Sequence, residues 1–519
     1  MDRGIEIGYG DIFILLLFFL FVGVIGYLVS IRKPTTDQLF FAGRNLNWPI
    51  IGFSIIASNI STLTIIGLTA DAYVYGVSAS SYEWMASLIL IVLAIFVVPI
   101  YIKNKINTVP EYFGKRYGPI VRKYFSVISL IISSAVNIAG PLYAGALLIN
   151  LFIPQISVWE ASVAIALFAA TYTSFGGLNA VVYTDFFQSI LFLMISVIVC
   201  FALFSQYNFD ISQVTAVVSV ERFDMLNNLD HPFLPWLGLI TGVPILGFYF
   251  WCTDQVIIQR VLAARSILQA QRGIFFGAAL KLSILFVIVI PGILAVGLFP
   301  DIEQPQDLYA LFITQLIPTG VLGLVLSGLL AAMMSSVDSA LNSSATLITY
   351  DFVQKKYPQF SDQKLVLIGR VSVAFMMLVS LSWTPLIQYA NGIWAYAQTF
   401  LAYLVPPLVC LMFFGIFSKK GNQHTALITL ILGHLGSLFI FICQYLGWLE
   451  LHFTISAALI FVISIAVFFI SSWKESHIDT EQSLQLYFNY QNYYVTKQNK
   501  IIAIGIIIAT LLTILPFFF

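Results

Sequence analysis

Long apolar stretches alternate with short polar ones along the whole chain, and this alternation sets its plan. Runs of about 20 mostly apolar residues, the length of a membrane-crossing helix, recur throughout. They lie at roughly 11–31, 48–70, 82–103, 124–152, 157–175, 183–206, 235–259, 272–299, 318–350, 365–385, 389–417, 424–447, 453–472 and 501–519. The pattern predicts an all-α polytopic membrane protein with about 14 transmembrane helices. Composition excludes the soluble alternative: 60% of the 519 residues are hydrophobic and 9% are charged, against roughly 25% charged in a soluble domain.

Charge orients the spans. The polar segments 31–47, 102–123, 259–273, 351–364, 418–423 and 473–500 all fall on one side and hold 20 of the 24 Lys and Arg. The opposite side holds only Arg3 and Arg222, beside acids such as Asp224, Asp230, Asp301, Glu303 and Asp307. Basic loops stay cytoplasmic, so both termini are expected to be extracellular or periplasmic. Arg32 and Lys33 follow the first apolar run and no small-x-small site is present, so that run is expected to be a retained span, not a leader. Lys plus Arg equals Asp plus Glu at 24 each, which gives no basic bias toward nucleic acid. The "LYFNYQNYYV" segment in 473–500 is expected to be an interfacial connector. Cys200, Cys252, Cys410 and Cys443 lie in apolar runs without metal-ligand spacing and read as small core residues.

The polar exceptions inside the spans carry the chemistry. They are Glu83, Asp185, Asp254, Lys281 and Asp338, with Asn59, Gln255 and Gln398 as neutral companions. A charge at the bilayer centre costs about 2.5–3.5 kcal/mol. For any one of them an interhelical pair is at least as good a reading as a substrate role; together they require a polar interior and hence a pathway. Two spans also look broken, at "IIASNISTLTIIG" (Ile55 to Gly67) and "PILGFYFWCTDQ" (Pro244 to Gln255). Taken singly, each is also readable as a helix bent by Ser or Thr bonding back to its own turn. The two breaks lie five spans apart, however, and each opens a run of five. That arrangement predicts an inverted-repeat transporter with its site at the midplane. The repeats would be 48–206 and 235–417, preceded by an extra helix at 11–31 and followed by three helices in 424–519, all in a single membrane transport domain.

A third feature is "SGLLAAMMSSVDSALNSSATLITYD", Ser327 to Asp351. Ala332, Ser335 and Ser336 are spaced i, i+3, i+4 and share one helix face. With the carbonyls of Ala57 and Ile60 they would offer five neutral oxygens, which suits a weakly held monovalent cation better than calcium or zinc. Packing of small residues between helices is the alternative reading of the same stretch. An enzyme is disfavoured: "GYGD" (Gly8 to Asp11) and Tyr350-Asp351 come in the wrong order for an intramembrane aspartyl protease, and H-E-x-x-H is absent. A transporter-like sensor is disfavoured by the lack of any signalling segment in the sequence.

Five separated motifs then resemble one family. "SYEWMASL", "FGGLNAVVYTDFFQ", "WCTDQVIIQRVLAAR", "MMSSVDSALNSSATLITYD" and "YAQTFLAYLVPP" are similar to signature segments of the sodium/solute symporter family, in particular its sodium–sugar branch, over about residues 36–420. The resemblance implies a LeuT-type five-plus-five inverted repeat and sodium-coupled symport of a neutral sugar or polyol of the glucose, galactose or inositol type, in a multi-pass cell-membrane protein. The rival substrate class on this fold is an amino acid or carboxylate, of the proline or sialate type.

Carried over by position, the resemblance puts the principal sodium on the Ala57, Ile60 and Ala332 carbonyls and the Ser335 and Ser336 hydroxyls. It puts sugar contacts on Asn59, Glu83, Lys281 and Gln398, and an inner gate on Phe250 and Trp251. A second sodium position would involve Asp185 with Ser335 and Ser339. The chain departs from the branch at Phe250, where a tyrosine is usual, and at Thr64, Ala86 and Gly247, which replace residues that touch the sugar. Asp254 is expected to hold the inner half of a broken helix without touching solute.

Overall fold

The computed structural model describes residues 8–29, 34–318, 320–390, 392–473, 486–488 and 495–518. Most of the expected 473–500 connector, and Arg3, Arg32 and Lys33, lie outside the described residues. The regular secondary structure of the described residues is all helical, with one isolated backbone bridge between Leu46 and Ala264.

In chain order the principal helices are α1 (Tyr9–Val29), α2 (Trp48–Asn59), α3 (Thr62–Tyr75), α4 (Ser81–Val92), α5 (Pro119–Phe152) and α6 (Val158–Ser205). Then come α7 (Trp236–Cys252), α8 (Gln255–Leu262), α9 (Ile267–Leu298), α10 (Leu322–Gln354) and α11 (Asp362–Tyr389). The series ends with α12 (Ile393–Leu404), α13 (Pro406–Phe417), α14 (Gln423–Tyr445), α15 (Phe453–Ser471) and α16 (Lys497–Phe517). Among the described residues ten stretches are long and apolar enough to cross a bilayer, and two bent pairs raise the number to 12. Fourteen is reached only by dividing two long runs. The 48-residue α6 would span about 72 Å if straight, over twice the hydrocarbon thickness. It is interrupted at Gly177, whose φ of 57° and ψ of −158° lie outside the helical region. A Cβ there would meet the Leu39 carbonyl, so both space and backbone demand glycine. The other run, Thr62–Lys103, is interrupted by a 3₁₀ turn at Gly76–Ser80.

The breaks have local causes. α2 stops at Ile60 (φ −88°, ψ 102°), and Ser61 starts α3 with a capping box shared with Thr64. α7 and α8 meet at 44° across Thr253 and Asp254. The interruption thus falls after Pro244 and Gly247, which are both inside α7. A third break, not expected from the sequence, bends α12 against α13 by 57° at Pro406, where a proline lacks the N–H that would continue the ladder.

α10 is the axis of the bundle. Its Gly-, Ala- and Ser-rich sequence is buried from Leu322 to Leu347 at every position except Leu324, and it runs against α6, α2 and α5. Small side chains permit such close approach where no hydrophobic effect drives helices together. At its start, Asp11 of α1 accepts from the Gly323 amide (2.7 Å), filling one of the orphan donors of a helix terminus. This is the role found for the aspartate of "GYGD".

Candidate functional site

Where α2 breaks, the carbonyls of its last turn lose their intrahelical partners. α10 answers them. Ser335 Oγ lies 2.8 Å from the Ala57 carbonyl oxygen and 3.0 Å from that of Ala332, both within donating distance. Ser336 Oγ lies 3.3 Å from the Ala332 oxygen and 3.4 Å from that of Ser58. Ala57, Ile60, Ala332 and Ser335 are fully buried. The i, i+3, i+4 face of α10 therefore does meet the broken end of α2. The donors in this cluster are neutral hard oxygens, the set that a monovalent cation accepts. Among the described residues no group of three or more His, Cys, Asp or Glu could hold a metal.

Beside this cluster is a cavity of about 110 Å³ between the two broken regions. Asn59, Glu83, Phe250, Trp251, Gln398 and Ser336 all line it, and so do Thr64 and Gly247. Lys281 does not. It lies behind Glu83, bonded to that carboxylate, with Nζ 5.4 Å from the Trp251 ring centroid. The pair is buried on both sides, so a cavity-facing glutamate is charge-compensated from behind, as a buried charge must be. Phe250 and Trp251 meet edge to face at 5.0 Å. At Gly247 a Cβ would meet Ile89, so an apolar side chain takes up the room that a larger residue would need. Ala86 is buried and does not line the cavity.

Three lining groups were not singled out from the sequence. Tyr82 and Trp394 meet at 5.9 Å in a T-shaped contact. Tyr82 OH, Trp394 Nε1 and Asn59 Oδ1 are buried with no protein partner. Buried polar atoms are normally paired, so these three leave two donors and an acceptor available to a polar occupant of the cavity. Asn137, also in the lining, had a signal like that of Asn59: an amide inside an apolar run.

Beyond the cluster lies a second buried network. Asp185 Oδ2 accepts from Ser54 Oγ (2.6 Å) and faces Arg260 Nη2 at 3.3 Å. The same guanidinium bonds Ser339, which in turn bonds the Ser335 carbonyl and stands 3.0 Å from Ser58 Oγ. Asp185, Ser335 and Ser339 are thus brought together, but a protein cation already stands among them. Asp338, buried on the same helix, pairs with Tyr172.

Asp254 caps α8, accepting from the Val256 amide and from Asn137 Nδ2, each at 2.9 Å. The far end of α8 is tied to the start of α2: the Leu46 amide donates to Ala263 O (3.0 Å) and the Arg265 amide to Leu46 O (3.2 Å). Gln255 Oε1 accepts from the Val109 amide (2.8 Å), and Gln259 Nε2 donates to Phe40 O (2.6 Å) and Thr346 (2.7 Å). The second half of this broken span is thus held by hydrogen bonds at both of its ends.

Comparison with known proteins agrees with this geometry. The profile of the sodium:solute symporter family matches residues 39–433. Sodium/glucose cotransporter 4 of Mus musculus is 33% identical over 461 residues, covering 82% of this chain and 67% of that protein. Sodium/myo-inositol cotransporter 2 of Homo sapiens is 33% identical over 470 residues, covering 83% of this chain and 69% of that protein. Sodium/glucose cotransporter 1 of Ovis aries is 32% identical, covering 82% and 70%. In backbone the chain is similar to a Na+-coupled sialic acid symporter in its substrate-bound outward-open state (TM-score 0.81, 20% identity, 91% of this chain and 99% of that one). It is also similar to Mhp1, a nucleobase-cation-symport-1 family transporter (TM-score 0.53, 14% identity, 88% and 100%). These likenesses give the LeuT-type fold. With its broken helices meeting around a buried polar cavity, the chain belongs to the sodium:solute symporter family and is a multi-pass membrane transporter, not an enzyme.

Proposed function

We propose that the chain carries a neutral sugar or polyol into the cell together with sodium, by alternating access between the repeats 48–206 and 235–417. The observation that carries this reading is the cavity wall. Amide, phenol, indole and a carboxylate already neutralised by Lys281 surround it, and hydroxyls, which both donate and accept, suit such a set. An anionic solute has only acceptors to offer, and the cavity-facing oxygens of Glu83 and Asn59 cannot donate to it, which disfavours the carboxylate class. The named relatives, two glucose and one myo-inositol cotransporter, support the same class.

Sodium sits, in this proposal, on the Ala57, Ile60 and Ala332 carbonyls and the Ser335 and Ser336 hydroxyls. Asn59, Glu83 and Gln398 bond the solute, with Lys281 holding Glu83 from behind. Phe250 and Trp251 close the inner side. Both solute and ion depend on the broken end of α2, so filling one site orders the other. That is the physical content of coupling. At about −100 mV each sodium contributes ~2.3 kcal/mol, and a tenfold gradient adds about 1.4 kcal/mol. One sodium per solute then supports roughly 500-fold accumulation. A second sodium at Asp185, Ser335 and Ser339 would require Arg260 to withdraw, so the arrangement favours a single ion. The positive side of the loops faces the cytoplasm of a plasma or inner membrane, with both termini outside. Sodium-driven uptake into vesicles, competed with glucose, galactose, myo-inositol, proline and sialate, tests the reading. Competition by proline or sialate alone would overturn it.

A further inference from the structure

The basic side of the molecule carries a second built feature, away from the transport path. α10 ends in a π-helical turn, Ile348–Gln354. Where it emerges, Lys355 and Lys356 face Lys123 of α5 across a cleft of about 540 Å³. Asp351 also lines this cleft, but its charge is taken: Arg122 approaches it to 2.5 Å and Thr108 Oγ1 donates at 2.9 Å. None of the three lysines has a carboxylate within ion-pair distance among the described residues. Lys356 Nζ rests 5.2 Å from the Tyr357 ring centroid, a side chain that also lines the cleft. Partial desolvation and the neighbouring Arg122 and Lys123 charges hold the Lys355 ammonium below its ordinary range. An anion placed among them would relieve that repulsion.

The flank of the cleft is apolar. On α5, Ile120, Lys123, Val127 and Ile131 follow one face at i, i+3, i+7 and i+11. Ile120, Val127 and Ile131 are 52%, 46% and 40% exposed. The stripe leads from Lys123 along the membrane-crossing part of the helix. A free phosphate would use the lysines and ignore the stripe. A phospholipid would use both.

We propose that this cleft is a binding site for an anionic phospholipid, its phosphodiester held by Lys123, Lys355 and Lys356 and one acyl chain lying along Val127 and Ile131. Anionic lipids of a cytoplasmic leaflet are attracted by clustered lysines beside a membrane helix. The bound headgroup would bridge α5 to the inner end of α10, the helix whose other residues meet the broken end of α2. The site does not depend on which solute is carried.

The test uses the purified full-length chain in a neutral detergent, titrated with short-chain phosphatidylglycerol, short-chain phosphatidylcholine and soluble glycerol phosphate, read by thermal unfolding and by native mass spectrometry of bound lipid. Phosphatidylglycerol should bind and raise the unfolding temperature, and phosphatidylcholine should do so far less. Binding should weaken roughly five-fold for each lysine removed in Lys123→Gln, Lys355→Gln and the triple variant with Lys356→Gln. These lysines are exposed, so the variants should fold, which the unliganded unfolding temperature checks. Equal effects of the two lipids would overturn the proposal, as would unchanged phosphatidylglycerol binding in the triple variant. Glycerol phosphate reproducing the full shift would make this a phosphate site and not a lipid site.

Discussion

Arg260 and Asp185, 75 residues apart in sequence, meet with Nη2 to Oδ2 at 3.3 Å and no solvent exposure on either side chain. The guanidinium also holds Ser54 at 2.8 Å and Ser339. A charged network therefore lies directly beneath the hydroxyl cluster of α10, and its cation belongs to the protein. We expect one sodium per solute. The reversal potential of solute-induced current, measured against both gradients, should give a ratio of one in wild type and in Asp185→Asn. A ratio of two falling to one in the variant would place a second sodium at Asp185. Arg260→Ala leaves a buried carboxylate unpaired and should cost about 3–5 kcal/mol of stability; the double variant Asp185→Asn/Arg260→Gln should recover part of it.

Coupling should fail at α10 before the fold does. Ser335→Ala with Ser336→Ala removes two hydroxyls from a cluster otherwise made of carbonyls. Sodium-dependent uptake should vanish, while solute-independent stability changes by only about 1 kcal/mol per neutral hydrogen bond lost. Persistence of sodium-driven accumulation would move the ion elsewhere.

Glu83 and Gln398 face the cavity, and Lys281 supports the first from behind. Losing a hydrogen bond to a buried charged group costs about 1.5–3 kcal/mol, roughly ten- to a hundred-fold in affinity. Glu83→Ala and Gln398→Ala should raise the half-saturating solute concentration by that factor. Lys281→Met should act chiefly on expression and stability, because it strands the Glu83 charge. Unchanged solute affinity in both cavity variants would remove them from the binding surface.

Phe250 offers a ring without a hydroxyl. Phe250→Tyr should be tolerated and Phe250→Ala should damage uptake, with a stacking contribution of about 0.5–1.5 kcal/mol. An alanine variant with normal transport kinetics would show that the ring does not contact solute.

Asp254 should separate cap from site. Asp254→Ala removes an N-cap and its bond to Asn137, costing about 0.5–2 kcal/mol. Maximal uptake and unfolding temperature should fall together, with solute affinity held, and Asp254→Asn should restore most of both. A selective loss of solute affinity would instead place Asp254 at the substrate.

What the sequence determined by itself was local and periodic. Apolar run length set the helices, and the 3.6-residue repeat put Ala332, Ser335 and Ser336 on one face whatever packs against them. Misplaced polar residues marked Asn59, Glu83 and Gln398 because their cost in lipid must be repaid somewhere. Tertiary structure alone decided who repays it. That Arg260 stands at Asp185, that Lys281 sits behind Glu83 and not on the cavity, and that Asn137 completes the Asp254 cap all depend on segments far apart in sequence. So do the unpaired Tyr82 and Trp394 atoms around the cavity, and the exposure of the apolar stripe that continues from Lys123. In a low-dielectric interior a charge takes whichever partner the packing brings within a few ångströms, and no spacing along one helix encodes which neighbour that will be.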